Sequence, residues 1–308
     1  MKKGVILFLL LLLVLLTVPI HCKEQPENKS GWSYTSQGTF YLDESAVPLT
    51  GWQRIDGNRY YFHPNRGGVM VCGWLELPDG RYYFDSTGIM QTGWLQDGGQ
   101  QYYLRPDGAM AVGTLQIAGK DWHFTASGEP FFLVNSDYPV PDDYQPELVD
   151  LEGFQVSKDC AGDLLAMMGA CRAAGHRCDI NSAYRDIAFQ QMLWDNRYNS
   201  YIAQGYTSAA AAELTAQIVL PPGYSEHHTG LAVDITGTEQ MYSWLAQHAP
   251  EYGFILRYPE GKTDWTGVTY EPWHFRYVGR KLALELQSLS LTPEEYLHRL
   301  TEASRPAG

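Results

Sequence analysis

Residues 225–234 read SEHHTGLAVD, and residues 271–274 read EPWH. In the first stretch Gly230 and Ala232 alternate with Leu231 and Val233 before Asp234 and Ile235, the pattern of a loop entering a buried strand through small residues. A carboxylate in the middle of such a strand is costly to bury unless it is paired or bound to a metal. The reading is therefore a sheet that carries a polar centre, within a domain of mixed helix and strand.

A catalytic zinc takes typically three protein ligands and leaves a fourth position open. His227, Asp234 and His274 supply that set for one Zn2+. A carboxylate that is not a ligand must stand close by to take a proton from water. Glu271, three residues before His274, is placed to do so. Spacing alone does not decide, because an isolated ExxH is common and the plain alternative is a loop histidine with a turn-capping aspartate. His228 follows His227 directly. Neighbouring side chains of an extended segment point to opposite sides, so His228 is expected behind the ligands or beside the substrate. His63, His123, His176, His248 and His298 fall outside any ligand spacing and read as surface or packing residues.

The order SxHxxGxAxD followed by ExxH resembles the VanY-type D-alanyl-D-alanine carboxypeptidases, zinc peptidases that trim the stem peptide of bacterial peptidoglycan. The resemblance spans roughly residues 131–308 and includes LVNSDYPVPDDYQPELV at 133–149, SAYRDIAFQ at 182–190 and GFILRYPEGK at 253–262. It implies an α+β zinc peptidase domain (Hedgehog/D,D-peptidase-like), with His227, Asp234 and His274 as ligands and Glu271 as general base and acid. It also implies Arg185 as the residue facing the substrate, where a guanidinium can grip a terminal carboxylate in two-pronged fashion or stabilise a forming oxyanion. Ser182, Gln190, Ser225 and His228 fall on positions near the substrate pocket. On chemistry alone, Ser and Gln at turns and helix starts often satisfy only backbone groups. Two positions depart from the family pattern: Ala183 where Gly is common, and His228 where Gln is common. The implied activity is removal of the C-terminal D-alanine from stem peptides. An L,D-carboxypeptidase and a peptidoglycan endopeptidase use the same metal set, and a wall-binding adhesion module with an inactive zinc domain is the alternative of another class.

Upstream, Gly-Trp recurs at 31, 51, 73 and 93, with Gly113-Thr114 after it, a period of 20 to 22 residues. Between these lie Tyr60-Tyr61-Phe62, Tyr82-Tyr83-Phe84, Tyr102-Tyr103-Leu104 and Trp122-His123-Phe124, each followed by turn residues. A fixed period of this size signals a repeat architecture, here one β-hairpin per repeat in an all-β solenoid. The pattern is similar to the cell-wall-binding repeats of choline-binding proteins, which hold a quaternary ammonium between aromatic faces. Trp52, Trp74, Trp94, Tyr61, Tyr83 and Tyr103 are the expected wall-binding residues, for a choline-like ligand or another wall polymer. The position that usually carries Trp before the aromatic run holds Arg59, Arg81 or Gln101, so sugar stacking and plain packing stay open beside choline.

Lys2 and Lys3 precede an apolar run from Gly4 to Ile20, the pattern of an export signal. A cleaved signal, a lipid-modified Cys22 and an uncleaved membrane anchor all stay open. The expected layout is a signal or anchor at 1–22, repeats at 30–130 and the zinc domain at 131–308, exported to the cell wall or the outer face of a bacterial cytoplasmic membrane. A net charge of -13 argues against nucleic acid and anionic polymers as electrostatic partners. Cys160, Cys171 and Cys178 lie close in sequence, and oxidation of one pair fits an exported chain. In the zinc domain a helix is expected from Asp159 to Ala174 and another starting at Thr292-Pro293. Strands are expected near 180, 231–235, 254–258 and 274–277.

Overall fold

The computed structural model describes residues 30–303, so the expected export segment at 1–22, with Cys22, lies outside the described residues. Among the described residues two compact units form: one comprises 30–75 together with 84–90, the other 76–83 together with 91–303.

The repeats are hairpins, as their period predicts. In the first unit Gly31–Thr35 pairs with Gly38–Leu42, and Gly51–Ile55 with Asn58–His63; in the second Gly93–Asp97 pairs with Gln100–Leu104, and Gly113–Ile117 with Lys120–Phe124. The register sets Trp32 opposite Tyr41, Trp52 opposite Tyr61 and Trp94 opposite Tyr103. One hairpin cannot bury its own apolar face, so within each unit neighbouring repeats pack together. The Trp32 ring lies 5.1 Å from Tyr60, Trp52 lies 5.7 Å from Phe84, and Trp94 lies 6.0 Å from Phe124. Phe62, Phe84 and Phe124 are fully buried, which makes the closing aromatic of each run the core of its repeat.

The zinc-domain part of the second unit opens with a hairpin, β1 (Leu148–Leu151) and β2 (Phe154–Ser157). Helix α1 (Lys158–Ala173) follows, its first turn capped by Ser157 Oγ, which accepts from Asp159 N. Then come β3 (Asp179–Ser182), α2 (Ile187–Ala203), α3 (Ser208–Ala216), β4 (Ala232–Thr236), α4 (Glu239–His248), β5 (Phe254–Leu256), β6 (His274–Tyr277), α5 (Arg280–Leu289) and α6 (Pro293–Ala303). The four strands make one antiparallel sheet in the order β3-β4-β6-β5.

Alternation along β4 divides the sheet into two faces. Val233 and Ile235 enter a core with Leu164, Met167 and Met168 of α1 and Met241 and Leu245 of α4, all fully buried. Asp234 faces the other way. Cys160, Cys171 and Cys178 belong to the same core as free thiols. A second core joins Ile255 of β5 to Leu282 and Leu286 of α5 and Tyr296 of α6. Helix α6 also meets the last hairpin: Thr301 Oγ1 accepts from Thr114 N at 3.3 Å, and the Tyr296 hydroxyl accepts from Ala126 N at 2.8 Å. Among the described residues no helix is long and apolar enough to cross a membrane.

Candidate metal centre

The sheet register builds the site. Ser182 of β3, Asp234 of β4 and His274 of β6 are successive cross-strand partners, so their side chains share one row. The third candidate ligand comes from the loop before β4. Sequence reasoning took that loop as extended; it is instead a 3-10 turn, Glu226–Thr229, closed by Gly230 at φ 68°. A side chain on Gly230 would meet the backbone nitrogen of Ser157 at 2.8 Å, so only glycine lets the turn pack against β2. The turn sends His227 and His228 in different directions.

His227 Nδ1 donates to the Ala183 carbonyl at 2.6 Å, which leaves Nε2 as a lone pair 3.4 Å from Asp234 Oδ2. His274 presents Nδ1 3.2 Å from Asp234 Oδ1 and 3.5 Å from Glu271 Oε2. One ligand atom from each of His227, Asp234 and His274 lies within 4.8 Å of the others, and all three residues are buried. Among the described residues His227 Nε2 and Asp234 Oδ1 have no hydrogen-bond partner; the 3.2 Å approach of Oδ1 to His274 lacks hydrogen-bond geometry. Buried donor atoms converging on one point, two of them without a hydrogen-bond partner, fit a divalent cation, and two nitrogens with one carboxylate suit zinc.

Without a cation the electrostatics divide the two histidines. Burial pushes His227 down to about 4. Burial also opposes a proton on His274, but the carboxylates of Asp234 and Glu226 prevail and raise it to about 9. Glu271 is pushed up to about 7, first by burial and then by the Asp234 charge, against the pull of His274 and Arg185. Such a group is poised to exchange a proton near neutral pH.

Arg185 follows β3. Its Nη2 donates to Asp234 and its Nε to Ser182 Oγ at 2.8 Å, so Ser182 acts by holding the guanidinium. A cavity of ≈ 230 Å³ opens beside these groups, lined by Arg185, Gln190, Ser225, Tyr258, Glu271 and Trp273 together with the three metal candidates. Gln190 is buried, with Nε2 donating to the Leu220 carbonyl at 2.7 Å. Ser182 and His228 do not line the cavity. His228 bonds the Arg185 carbonyl through Nδ1 at 2.7 Å and accepts from Gly223 N at Nε2 at 3.1 Å, fixing the loop that carries Arg185.

Sequence reasoning missed Tyr258 and Trp273, which line the cavity, and Glu226, which is fully buried behind His274. The available signal for Glu226 was the pairing of an acid inside the histidine motif with Arg257 directly after an apolar strand. In the repeats, Trp52, Tyr61, Trp94 and Tyr103 pair across their hairpins, with Trp94 40% exposed. Trp74 and Tyr83 stand on the strands Gly73–Leu77 and Gly80–Phe84. The Trp52 face is covered by the chain's own cation, the Arg59 guanidinium 4.4 Å from the ring centroid.

Residues 153–280 match the VanY family, described as D-alanyl-D-alanine carboxypeptidase, and residues 49–90 and 79–115 match the choline-binding repeat. A D-alanyl-D-alanine carboxypeptidase of Enterococcus faecalis is 41% identical over 174 residues; the match takes in 54% of this chain and 65% of that relative's length. Among solved structures, VanYB in complex with D-alanine-D-alanine is 40% identical with a TM-score of 0.53, over 54% of this chain and 96% of that one. A mutant of the vancomycin resistance D,D-pentapeptidase VanY in complex with Zn(II) is 40% identical with a TM-score of 0.52, over 54% of this chain and 97% of that one.

Proposed function

The chain belongs to the VanY D-alanyl-D-alanine carboxypeptidase family, and on that premise we propose that it is a zinc-dependent carboxypeptidase removing the C-terminal D-alanine from peptidoglycan stem peptides. The observation that carries this reading is the buried convergence of His227 Nε2, the Asp234 carboxylate and His274 Nδ1, with Glu271 Oε2 3.5 Å from the last of these.

Those three residues would hold the zinc, which when bound supplies a Lewis acid for the scissile carbonyl and acidifies water. Glu271 takes a proton from the attacking water and returns it to the amine of the leaving D-alanine. Its carboxyl, buried 3.5 Å from His274 Nδ1, stands close enough to serve both steps. Arg185, held by Ser182, offers its guanidinium to the terminal carboxylate or to the oxyanion. Gln190 and Ser225 supply polar edges to the cavity wall, and His228 keeps the Arg185 loop in place.

The repeats at 30–130 are proposed to tether the enzyme to the cell wall through a choline-like ligand or another wall polymer, which places it outside the membrane, exported by the segment at 1–22. Support for the tether is the match to choline-binding repeats and the partly exposed Trp94 beside Tyr103. Incubating the zinc-loaded chain with synthetic pentapeptide and tetrapeptide stems and reading products by mass spectrometry tests the activity. Loss of one alanine from the pentapeptide alone supports the proposal; loss from the tetrapeptide alone replaces it with an L,D-carboxypeptidase. No loss from either removes the carboxypeptidase reading.

A further inference from the structure

Behind His274 runs a chain of buried charges. Glu226 Oε1 accepts from Arg257 Nε at 2.8 Å, and Arg257 is fully buried. The guanidinium of Arg257 then forks onto Glu294 at the start of α6, with Nη2 2.5 Å from Oε1 and Nη1 3.1 Å from Oε2. Asn135 Nδ2 donates to the same Glu294 at 2.9 Å, and Arg276 Nη1 lies 3.4 Å from Glu226 Oε1. Burying such a row is expensive, and pairing alone often does no better than apolar packing of the same volume. The row is therefore expected to serve something at one of its ends.

That end is His274. Glu226 Oε2 and His274 Nε2 face each other at 3.6 Å, and neither has another hydrogen-bond partner among the described residues. The separation is long for a hydrogen bond, yet the two atoms are complementary and buried. A proton on Nε2, donated to Glu226, leaves Nδ1 of His274 as a lone pair on the side of Asp234. Metal-bound histidines characteristically donate their other ring nitrogen to a carboxylate in this way.

Resting on the zinc reading above, we propose that Glu226, Arg257 and Glu294 are positioning residues for the metal centre. Arg257, clamped by Glu294, aims the Glu226 carboxylate at Nε2 of His274, which fixes the tautomer that binds the cation. Glu294 and Asn135 lie outside the segment matched by the VanY family, so the centre draws its support from helix α6 and from the arm before β1.

The test measures zinc affinity of the full chain by competition with a chromophoric chelator, and the visible spectrum of the cobalt-loaded form. Glu226→Gln keeps an acceptor without the charge, Glu226→Leu removes both, and Glu294→Gln touches neither Glu226 nor His274 and reaches them through Arg257, its other partner being Asn135. The expected order of affinity is wild type, Glu294→Gln, Glu226→Gln, Glu226→Leu, with a loss of about 10- to 100-fold at the far end, and a cobalt spectrum altered in the Glu226 variants. Where Glu226→Leu does not fold, judged by circular dichroism, the Glu294→Gln result decides. Folded variants that bind zinc as tightly as wild type, with unchanged cobalt spectra, overturn the relay. So does affinity lost only in step with the melting temperature of the metal-free protein. A wild-type chain that binds no zinc sinks the metal reading itself, an outcome distinct from these.

Discussion

The carbonyl oxygen of Ala183 accepts a hydrogen bond from Nδ1 of His227 at 2.6 Å, and this one contact decides which nitrogen of the ring faces Asp234. The contact uses the main chain, so it does not depend on the side chain at Ala183. It also ties the turn at Glu226–Thr229 to the end of β3, from which Arg185 follows.

Replacing Glu271 with Ala is expected to leave zinc bound, since the three ligand candidates are untouched, while hydrolysis falls about 10²- to 10⁴-fold. Metal content by mass spectrometry and alanine release by amino-acid analysis check the two halves separately. Activity equal to wild type would remove Glu271 from the mechanism.

Arg185→Lys keeps a cation but loses the fork that reaches both Asp234 and Ser182. A drop of about 10²-fold or more in kcat/KM is expected, on the scale of a lost oxyanion donor. The division of labour shows in a comparison of stem peptides ending in a free acid or an amide. If Arg185 grips the terminal carboxylate, wild type prefers the acid and the variant loses that preference. If it serves the oxyanion, both substrates slow equally.

Gly230→Ala puts a methyl at φ 68°, against Ser157 N at 2.8 Å and Leu148 Cδ2 at 2.9 Å. Left-handed backbone in a non-glycine residue costs about 1–3 kcal/mol before the clash is counted. A lower denaturant midpoint and weaker zinc retention are expected together, because this turn carries His227. A variant as stable as wild type would show that the turn relaxes.

His123 of the last hairpin bonds Thr114 Oγ1 at 3.0 Å, and burial pushes it down to about 4. Its folded value lies below its unfolded value, so the unfolded chain takes up the proton first. The stabilisation is complete above about pH 6.5 and is lost as pH falls toward 4, by at most about 3 kcal/mol. Denaturant unfolding across that range should show a flatter pH dependence in His123→Gln than in wild type. Identical slopes would contradict the assignment.

Arg59→Gln clears the face of Trp52, on which the guanidinium now lies. If that ring is a quaternary-ammonium site masked by the chain's own cation, choline affinity of the repeats should rise several-fold, the scale of an exposed cation–π contact of about 0.5–1 kcal/mol. Isothermal titration with choline chloride reads this, and an unchanged heat profile would leave Trp52 as a packing residue.

The sheet and its metal row were legible because their signals are local: small residues leading into β4, an aspartate where an apolar side chain belongs, and ExxH at the start of β6. The repeat hairpins were legible from their period alone. Glu226 was not, because its meaning depends on Arg257, 31 residues away in sequence, and on Glu294, beyond the sheet altogether. The extended reading of the His227 loop failed for a similar reason. A 3-10 turn of four residues has too little periodicity to register, and its close approach to Ser157 and Leu148 is a contact distant in sequence.

The joint between α6 and the last hairpin bears on where the chain can be divided without exposing apolar surface. Lys281 grips Glu129 at 2.7 Å, and Tyr296, whose hydroxyl accepts from Ala126, also helps close the core over β5. A recombination breakpoint at residue 131 would strip Tyr296 and Thr301 of these partners and open that core to water. One placed ahead of Gln91 would carry the last hairpins along with the catalytic fold. In packing terms the last hairpin belongs with the sheet and its helices, and a cut that spares those contacts falls before it.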